Sequence, residues 1–492
     1  MSRIPTFDGI RIEFRSRWPE WSAVSVFAAV VAIAILHHEP WGDEAQAWQL
    51  ARSLSLRELF QTFMRYEVSP GLWHFLLWIL THAHVSYAGM HWICGAIAVV
   101  STSLLVFYSP FPRYLKLSLP FTFFLLFQYA VVARGYVLVP LLLFVVAFWW
   151  KKGPLVVAVA LGLLANCALH AAVISGGLAM VWLVERLRAG DASRPVRRRN
   201  LLFCALIVVS FYAFALWTAW PPSDLGSHIS FFRSMRPSFF VSAFLALFMP
   251  ICQPAILSFF FWLAIILAFI ARRRLLYLLP VLLLAVFSGV VPSSFWHWGL
   301  IVPLLISLLW MTWPAPETGR SVYEMGGRVV LIYMIATQIF WSAYAMSFDH
   351  SKAYSADLAA AQFLRPLVEN GATVAVTYFE GPPMHVASAT GILPYFDRNI
   401  YVNQPYPFYF WGDKNPSDRL FDELLPSHPS IIVAEAPQKQ PKPMIDLGSE
   451  RARLLTNSGY RLTNVFCGSM PFRTELVFTN CHLIYRYAGD AQ

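Results

Sequence analysis

The chain has 492 residues, of which 58% are hydrophobic and 13% are charged. A soluble globular protein carries about 25% charged residues, so this composition excludes a chain that lies wholly in water and predicts that most of it lies in lipid. The formal net charge of +10 would suit a nucleic-acid partner, but Lys and Arg stand mainly in short blocks between apolar segments, as membrane topology requires. We therefore expect a lipid bilayer as a partner and no nucleic acid.

The first apolar run extends from Trp21 to Leu36 and follows a basic stretch with Arg11, Arg15 and Arg17. Basic residues flank membrane helices on the cytoplasmic side, so the N-terminus is predicted to be cytoplasmic. The run ends in His37-His38-Glu39-Pro40 and not in small residues that a signal peptidase would cleave. We therefore expect a retained first helix.

Further apolar segments are long enough to be compared with the roughly 20 residues that a crossing needs. They lie at residues 88–108, 117–133, 135–150, 154–169, 171–187, 200–220, 239–271, 275–291, 298–313 and 329–347. Pro250 and Pro254 predict a bent or partly re-entrant helix within 239–271. The shorter segment Leu72 to His84 is expected to dip into the outer leaflet or lie on it, which leaves about eleven true spans.

Blocks of basic residues predict the orientation of these spans. The blocks expected in the cytoplasm are Lys151-Lys152, Arg186 to Arg199, Arg272-Arg273-Arg274, the stretch with Arg320 and Arg328, and Arg113 with Lys116. Alternation then places four features outside: Arg134, the bend Asn166–His170, the loop Pro221–Ser238 and the turn Ser293–Trp298. We expect a multi-pass protein of the plasma (inner) membrane.

The composition changes from Ser347 to Gln492, where charge, Pro and Asn rise. Short β-branched runs predict strands at Thr373–Tyr378, Ile400–Val402, Ser430–Ala434 and Leu476–Thr479, after a helical stretch with Leu358, Phe363 and Leu367. We therefore expect residues 1–346 to form the membrane domain and residues 347–492 to form a small extracytoplasmic α/β domain. The six Cys include no CxxC pair, and Cys467 with Cys481 could either form a disulfide there or remain free.

The first external loop, residues 37–84, has more organisation than a connection needs. Two sets of apolar residues follow helical spacing: Ala47, Leu50, Ala51 and Leu54, then Leu56, Leu59, Phe60 and Phe63. They predict two short amphipathic helices on the membrane surface. Ser55 and Glu58 have the form of a capping box that separates the two helices.

Three acids stand in this loop. Asp43 and Glu44 open the first amphipathic helix, and Glu67 comes directly before the short outer-leaflet segment. One interpretation is that Asp43 caps the helix, with Gln46 at the third position. The other is that carboxylates held beside the apolar phase serve as a base or a cation site, which could deprotonate an acceptor hydroxyl or hold a divalent metal against a phosphate.

These residues resemble the GT-C superfamily of integral-membrane glycosyltransferases, which includes protein O-mannosyltransferases and aminoarabinose transferases. The resemblance rests on a retained first helix followed by Trp41-Gly42-Asp43-Glu44-Ala45, then on Tyr66-Glu67-x-x-Pro70 running into Leu72-Trp73. Ala133-Arg134-Gly135-Tyr136 is similar to an Arg-x-Tyr at the outer mouth of a helix in these enzymes, and His170 resembles a third position. The resemblance covers about residues 20–190, and beyond them it is architectural only.

The resemblance implies an enzyme that moves a hexosyl or pentosyl group from a polyprenyl-phosphate donor by inverting displacement. Asp43 would be the general base or would orient the acceptor, and Glu44 and Glu67 would assist it or bind a divalent metal. The acceptor would be a glycan, a lipid or a protein. Aminoarabinose transferases tend to have a basic residue directly after the acid that Glu67 matches, and this chain has Val68 there.

Four further residues are candidates for substrate binding. Arg134 can meet the leaving phosphate with two parallel hydrogen bonds, or it can be a flanking residue that reaches the headgroups. His297 lies in the aromatic turn Ser293–Trp298, where sugars could stack, although Trp residues are also common at the interface. His38 lies near the acid pair, and Tyr136 belongs to the Arg-x-Tyr motif. Most of the other histidines in and near the loop, among them His74 and His91, are expected to be interfacial, because they lack a fixed ligand spacing on one predicted face.

Two other functions are alternatives, because a transporter also has many spans and a polysaccharide ligase or polymerase also uses a lipid-linked substrate. A transporter or flippase of lipid-linked saccharides would show repeats and acids near the bilayer centre, whereas the acids here cluster in one external loop. A polysaccharide ligase or polymerase would carry a large late external loop with Arg and His, whereas the long loop here comes first. A transferase is therefore the function that the sequence favours.

Overall fold

The computed structural model describes residues 17–189, 195–225, 238–314, 322–378, 389–410, 419–437 and 450–489. Arg11, Arg15 and Arg320 lie outside the described residues, as do parts of the Arg186 to Arg199 block and of the loop Pro221–Ser238.

Helices form most of the described chain. In order, they are α1 Trp18–His37, α2 Gly42–Ser53, α3 Leu56–Glu58, α4 Met64–Glu67, α5 Leu72–His82, α6 Tyr87–Tyr108, α7 Arg113–Ser118, α8 Leu138–Trp149, α9 Pro154–Ala165, α10 Leu169–Arg188, α11 Pro195–Ala219, α12 Phe239–Phe248, α13 Ile256–Ala271, α14 Leu279–Val290, α15 Phe295–Trp298, α16 Ile301–Thr312, α17 Val322–Ser351, α18 Asp357–Glu369 and α19 Glu450–Asn457.

Among the described residues, six helical stretches are long and apolar enough to cross a membrane: α1, α6, α10, α11, α15 with α16, and most of α17. Shorter apolar helices accompany them, among them α5, α9, α12 and α13. On α11, large apolar side chains such as Leu202, Phe203 and Leu206 are exposed, as lipid contact requires. The chain is thus a mainly α-helical membrane protein. The number of spans and their orientation stay predictions.

Residues 117–133 do not form the single crossing helix that their apolar composition predicts. α7 ends at Ser118, and a 3-10 turn, Leu119–Phe121, and a π-helical turn, Phe124–Gln128, follow. Pro120 lacks an N–H and fixes its own φ angle, so the α-helix does not continue through it. Residues 123–133 are buried throughout, which keeps their irregular backbone in protein and out of lipid.

The break predicted within residues 239–271 is confirmed. α12 ends at Phe248 and α13 begins at Ile256, with Pro250 and Pro254 in the connection. The hydroxyl of Ser258 donates to the carbonyl of Phe248 at 2.8 Å and accepts from the N–H of Cys252 at 3.2 Å. These bonds satisfy backbone groups that the break leaves without helical partners.

Basic residues from separate blocks meet at one end of the bundle. Arg274 pairs with Glu185, and Arg186 donates to the carbonyl of Trp150 at 3.0 Å. Glu185 and Arg186 lie in the last turn of α10, whereas His170 lies in its first turn. The basic cluster and His170 therefore lie at opposite ends of the same helix, as the charge pattern predicts.

The C-terminal part contains a four-stranded sheet in the order β1-β2-β4-β3. Its strands are β1 Val374–Tyr378, β2 Ile431–Pro437, β3 Tyr460–Phe472 and β4 Glu475–Tyr487. β1 and β2 are parallel, and the other pairs are antiparallel. Three predicted strands and the predicted helix, α18, are confirmed. The run Ile400–Val402 is not a strand, because it makes only an isolated bridge between Tyr401 and Val374.

The hairpin of β3 and β4 contains a disulfide and contacts the helical region through its tip. Cys467 and Cys481 are opposite each other on β3 and β4 and form a disulfide. At the far end of this hairpin, Phe472 stacks on Phe295 with ring centroids 4.5 Å apart and lies 6.4 Å from the ring of Trp341. The hairpin tip is therefore part of the core of the helical region.

Candidate functional site

The site is built around the first turn of α2. This helix begins at Gly42, and Trp41 is its N-cap residue. The Glu44 carboxylate accepts the N–H of Trp41 at 3.0 Å, so Glu44 satisfies one of the free N–H groups of the helix start. The interpretation of Asp43 as the N-cap is therefore wrong. Its side chain is available for other contacts.

Asp43 forms an ion pair with Arg134. The Oδ2 and Nη2 atoms lie 2.8 Å apart, and the side chains are 31% and 19% exposed. Burial raises the pKa of Asp43, the charge of Arg134 lowers it, and the charge of Glu44 raises it further. The net result is a pKa above the ordinary value of an aspartate. Burial lowers the pKa of Arg134, but nearby acids, Asp43 foremost, outweigh burial and raise it. Arg134 is therefore a permanent cation.

Aromatic rings surround the guanidinium of Arg134. Its Cζ atom lies 5.6 Å from the ring centroid of Trp41 and 5.1 Å from those of Tyr136 and Trp296. The Nη1 atom of Arg134 and the indole nitrogens of Trp41 and Trp296 are buried without a hydrogen-bond partner in the described part of the chain. Buried donors normally have partners. This pocket therefore presents unused donors that fit an anion or sugar hydroxyls.

A pair of histidines extends the pocket beyond Tyr136. The ring of His297 meets that of Tyr136 edge-on at 5.7 Å and stacks on His170 at 4.2 Å. His170 Nε2 lies 2.8 Å from the Ser293 hydroxyl, and His297 Nδ1 accepts the N–H of Ser294 at 2.9 Å. The start of α10 and the turn before α16 therefore meet beside Arg134.

Glu67 reaches the site through Gln46 on α2. Gln46 Nε2 donates to Glu67 Oε1 at 2.9 Å. Burial raises the pKa of Glu67 to about 7, with a smaller rise from Asp43 and opposing contributions from Gln46 and Arg134. Gln46 also exchanges two hydrogen bonds of 2.8 Å with the backbone of Tyr409. One side chain thus connects Glu67 to the C-terminal part.

Glu44 lies in a buried polar cluster behind Asp43. Its Oε1 atom accepts from the N–H of Ala133 at 2.6 Å and lies 2.9 Å from His91 Nε2. His38 lies on the other oxygen, with its Nε2 3.5 Å away, and its Nδ1 lies 3.0 Å from Asp349. Burial alone would lower the pKa of His38, but Asp349 and Glu44 raise it to about 10. Burial alone would raise the pKa of Glu44, but hydrogen bonds and charge from His38 and His91 outweigh burial, so the pKa of Glu44 lies below its ordinary value.

The residues that the sequence predicts for the site form one network. Asp43, Arg134, Tyr136, His297 and His170 follow one another in contact. Glu67 joins through Gln46, and His38 joins through Glu44. Their catalytic and binding roles stay predictions.

Five members of this network are not among the site residues predicted from the sequence: Trp41, Gln46, His91, Trp296 and Asp349. Trp41 and Trp296 flank candidate residues, so their neighbours were a usable signal. Nothing in the sequence connects His91 or Asp349 to Glu44 and His38, because long chain segments separate them.

Comparisons with known proteins find no match to this chain among protein-family models, curated proteins or solved structures.

Proposed function

We propose that this chain is an integral-membrane glycosyltransferase of the GT-C type, which takes a hexosyl or pentosyl group from a polyprenyl-phosphate donor. The observation that carries the proposal is the pairing of Asp43 with Arg134 in a pocket lined by aromatic rings and unused N–H donors. A sugar phosphate needs a cation for the phosphate, ring faces for the sugar and a base for the acceptor. This pocket supplies all three groups.

Arg134 is the proposed phosphate ligand. An Arg side chain can bind a phosphate through two parallel N–H groups, and its Nη1 has no partner among the described residues. The indole N–H groups of Trp41 and Trp296 would complete the set of donors. The aromatic rings around the guanidinium exclude water and so strengthen its attraction for the leaving phosphate.

Asp43 is the proposed general base. Its raised pKa makes it a stronger base than an exposed carboxylate. Asp43 takes the proton of the acceptor hydroxyl as the acceptor oxygen attacks the anomeric carbon. The bond between that carbon and the phosphate oxygen breaks, and the polyprenyl phosphate leaves with the electron pair toward Arg134. Attack opposite the leaving group inverts the anomeric centre.

The remaining candidates support these two groups. Glu44 holds the start of α2 and the backbone beside Arg134, so we assign it a positioning role. Glu67 lies behind Gln46, and His170 with His297 borders the pocket for the acceptor or the phosphate. We place the pocket and the C-terminal part on the outer side of the plasma membrane. The disulfide supports this placement, because such bonds persist in oxidising compartments.

The test is transfer by the purified protein in liposomes that contain single polyprenyl-phosphate sugars, with and without a chelator. We expect one donor of the panel to be consumed. Asp43→Asn should abolish transfer while donor binding persists, and Asp43→Ala or Glu67→Ala should abolish it without reducing expression. Glu369→Gln, an exposed carboxylate changed in the same way, is the matched control. Full activity in Asp43→Asn would overturn the site, and movement of intact donor across the bilayer without transfer would show a flippase.

A further inference from the structure

We infer that His38, Glu44 and His91 bind a zinc ion. Each offers one ligand atom, and these atoms lie within 4.8 Å of one another. The three residues come from the chain after α1, the first turn of α2 and the second turn of α6. All are buried, with residue exposures of 8%, 0% and 3%.

His38 has a free nitrogen aimed into this cluster. Its side chain is 0% exposed, and its Nε2 has no hydrogen-bond partner in the described chain, with Glu44 Oε2 nearest at 3.5 Å. Its Nδ1 lies 3.0 Å from Asp349 Oδ2. A carboxylate that accepts the Nδ1–H orients the ring so that Nε2 faces the cluster, where zinc would displace the Nε2 proton. Asp349 therefore prepares His38 as a ligand.

The ligand types favour zinc over magnesium or calcium. Imidazole nitrogen suits zinc and related transition metals, whereas magnesium and calcium take oxygen ligands. Ligand atoms around tetrahedral zinc stand roughly 3.4 Å apart. His91 Nε2 lies 2.9 Å from Glu44 Oε1, His38 Nε2 lies 3.5 Å from Glu44 Oε2, and one ligand atom from each residue lies within 4.8 Å of the others. Binding an ion would therefore draw the three side chains closer together around one position.

The site lies beside the proposed reaction centre but does not use its reacting groups. Glu44 is adjacent to Asp43 in the chain, and it also binds the N–H of Ala133, next to Arg134. A zinc ion here would fix the Glu44 carboxylate, and Glu44 in turn holds the backbone beside Arg134 next to the helix start that carries Asp43. The role of the ion would be to position Asp43 and Arg134. Metal binding is measured without a sugar donor, so its result is independent of the result of the transfer assay.

The experiment measures the metal content of the full chain, purified in detergent without a metal-affinity tag. We expect about one zinc per chain, and at least a fivefold loss in His38→Ala and in His91→Ala. His82→Ala changes an exposed histidine of α5 and should keep the full content. Zinc in the two cluster variants equal to that of the control would overturn the inference.

A second measurement covers the case in which those variants do not fold. Wild-type protein is dialysed against a chelator, and its melting temperature is followed as zinc, cobalt or magnesium is added back. We expect the chelator to lower the melting temperature by several degrees, and zinc or cobalt, but not magnesium, to restore it. The protein with cobalt should also show the visible absorption of a tetrahedral cobalt site. Protein that is metal-free as purified and takes up neither zinc nor cobalt would overturn the inference.

Discussion

The carboxylate of Asp43 and the guanidinium of Arg134 lie 2.8 Å apart, although one opens α2 and the other ends a buried irregular segment. The two groups neutralise each other until a second anion arrives. A phosphate that binds Arg134 would weaken its hold on Asp43 and leave this carboxylate free to take a proton. Ligand binding and activation of the base are then one event.

Arg134→Lys should lower the rate of transfer by at least about tenfold, and Arg134→Ala should lower it further. Lysine keeps the charge but loses the planar fork and the stacking on three rings. Initial rates with the donor identified in the liposome panel measure the effect. The matched control is Arg365→Lys, because Arg365 is an exposed residue that also lies over an aromatic ring, that of Phe396. Equal losses in both variants would mean that the role of Arg134 is not specific.

Gln46→Leu should destabilise the protein by roughly 1–3 kcal/mol, because it removes the two buried hydrogen bonds between Gln46 and the backbone of Tyr409. We also expect faster proteolysis near residues 396–410, which pack on α2. Melting temperature in detergent and limited proteolysis measure these effects. Gln61→Leu removes an exposed amide that pairs with Arg57 and should change neither. Unchanged stability in Gln46→Leu would show that this link does not hold the two parts together.

Local sequence patterns predicted the local elements well. The spacing of Leu50 and Leu54 indicates α2, and both residues are buried. The capping box of Ser55 and Glu58 forms with the expected bonds. Composition failed where backbone geometry decides the structure. Residues 117–133 are apolar enough for a span, but Pro120 and burial inside protein give short helical turns instead.

The candidate site was predictable in part, for the same reason. Asp43, Glu67 and Arg134 lie in recognisable sequence contexts, so they could be named before their contacts were known. Contacts between distant segments carry no local signal, as with His38 and Asp349. β3 was missed because Gly468 and Pro471 interrupt the alternation of a typical strand.

Stability should depend on pH through Glu67. Its pKa is raised to about 7 in the folded protein, mainly by burial, so the folded state holds a proton that the unfolded chain loses near pH 4.5. The sign follows from linkage: this contribution is complete below about pH 4.5 and is lost as pH rises through 7. Between pH 5 and 8 we expect wild type to lose on the order of 1–3 kcal/mol relative to Glu67→Gln. A difference in stability between the two proteins that stays the same from pH 5 to pH 8 would contradict this prediction.

Chemical labelling checks the disulfide and, with it, the predicted orientation. Cells are treated with a small maleimide before lysis, and the protein is then denatured in the same reagent. We expect four of the six cysteines to carry the maleimide, and all six when the protein is reduced first. Six reactive cysteines before reduction would place the C-terminal part in a reducing compartment. Replacing both Cys467 and Cys481 by Ser should cost about 3 kcal/mol, since the bond closes a loop of 14 residues. The buried Cys94→Ser variant serves as the control for labelling.

The contact of Phe472 with Phe295 has a consequence for how the protein is made. Phe295 begins the turn that carries Trp296 and His297, so β3 and β4, which are synthesised after the helices of the membrane domain, complete a pocket that α1 and α2 start. A product truncated before β3 leaves this turn without its aromatic support. A chimaera that takes its C-terminal part from another protein would therefore need matching residues at the hairpin tip and at the aromatic rings that contact it, Phe295 and Trp341.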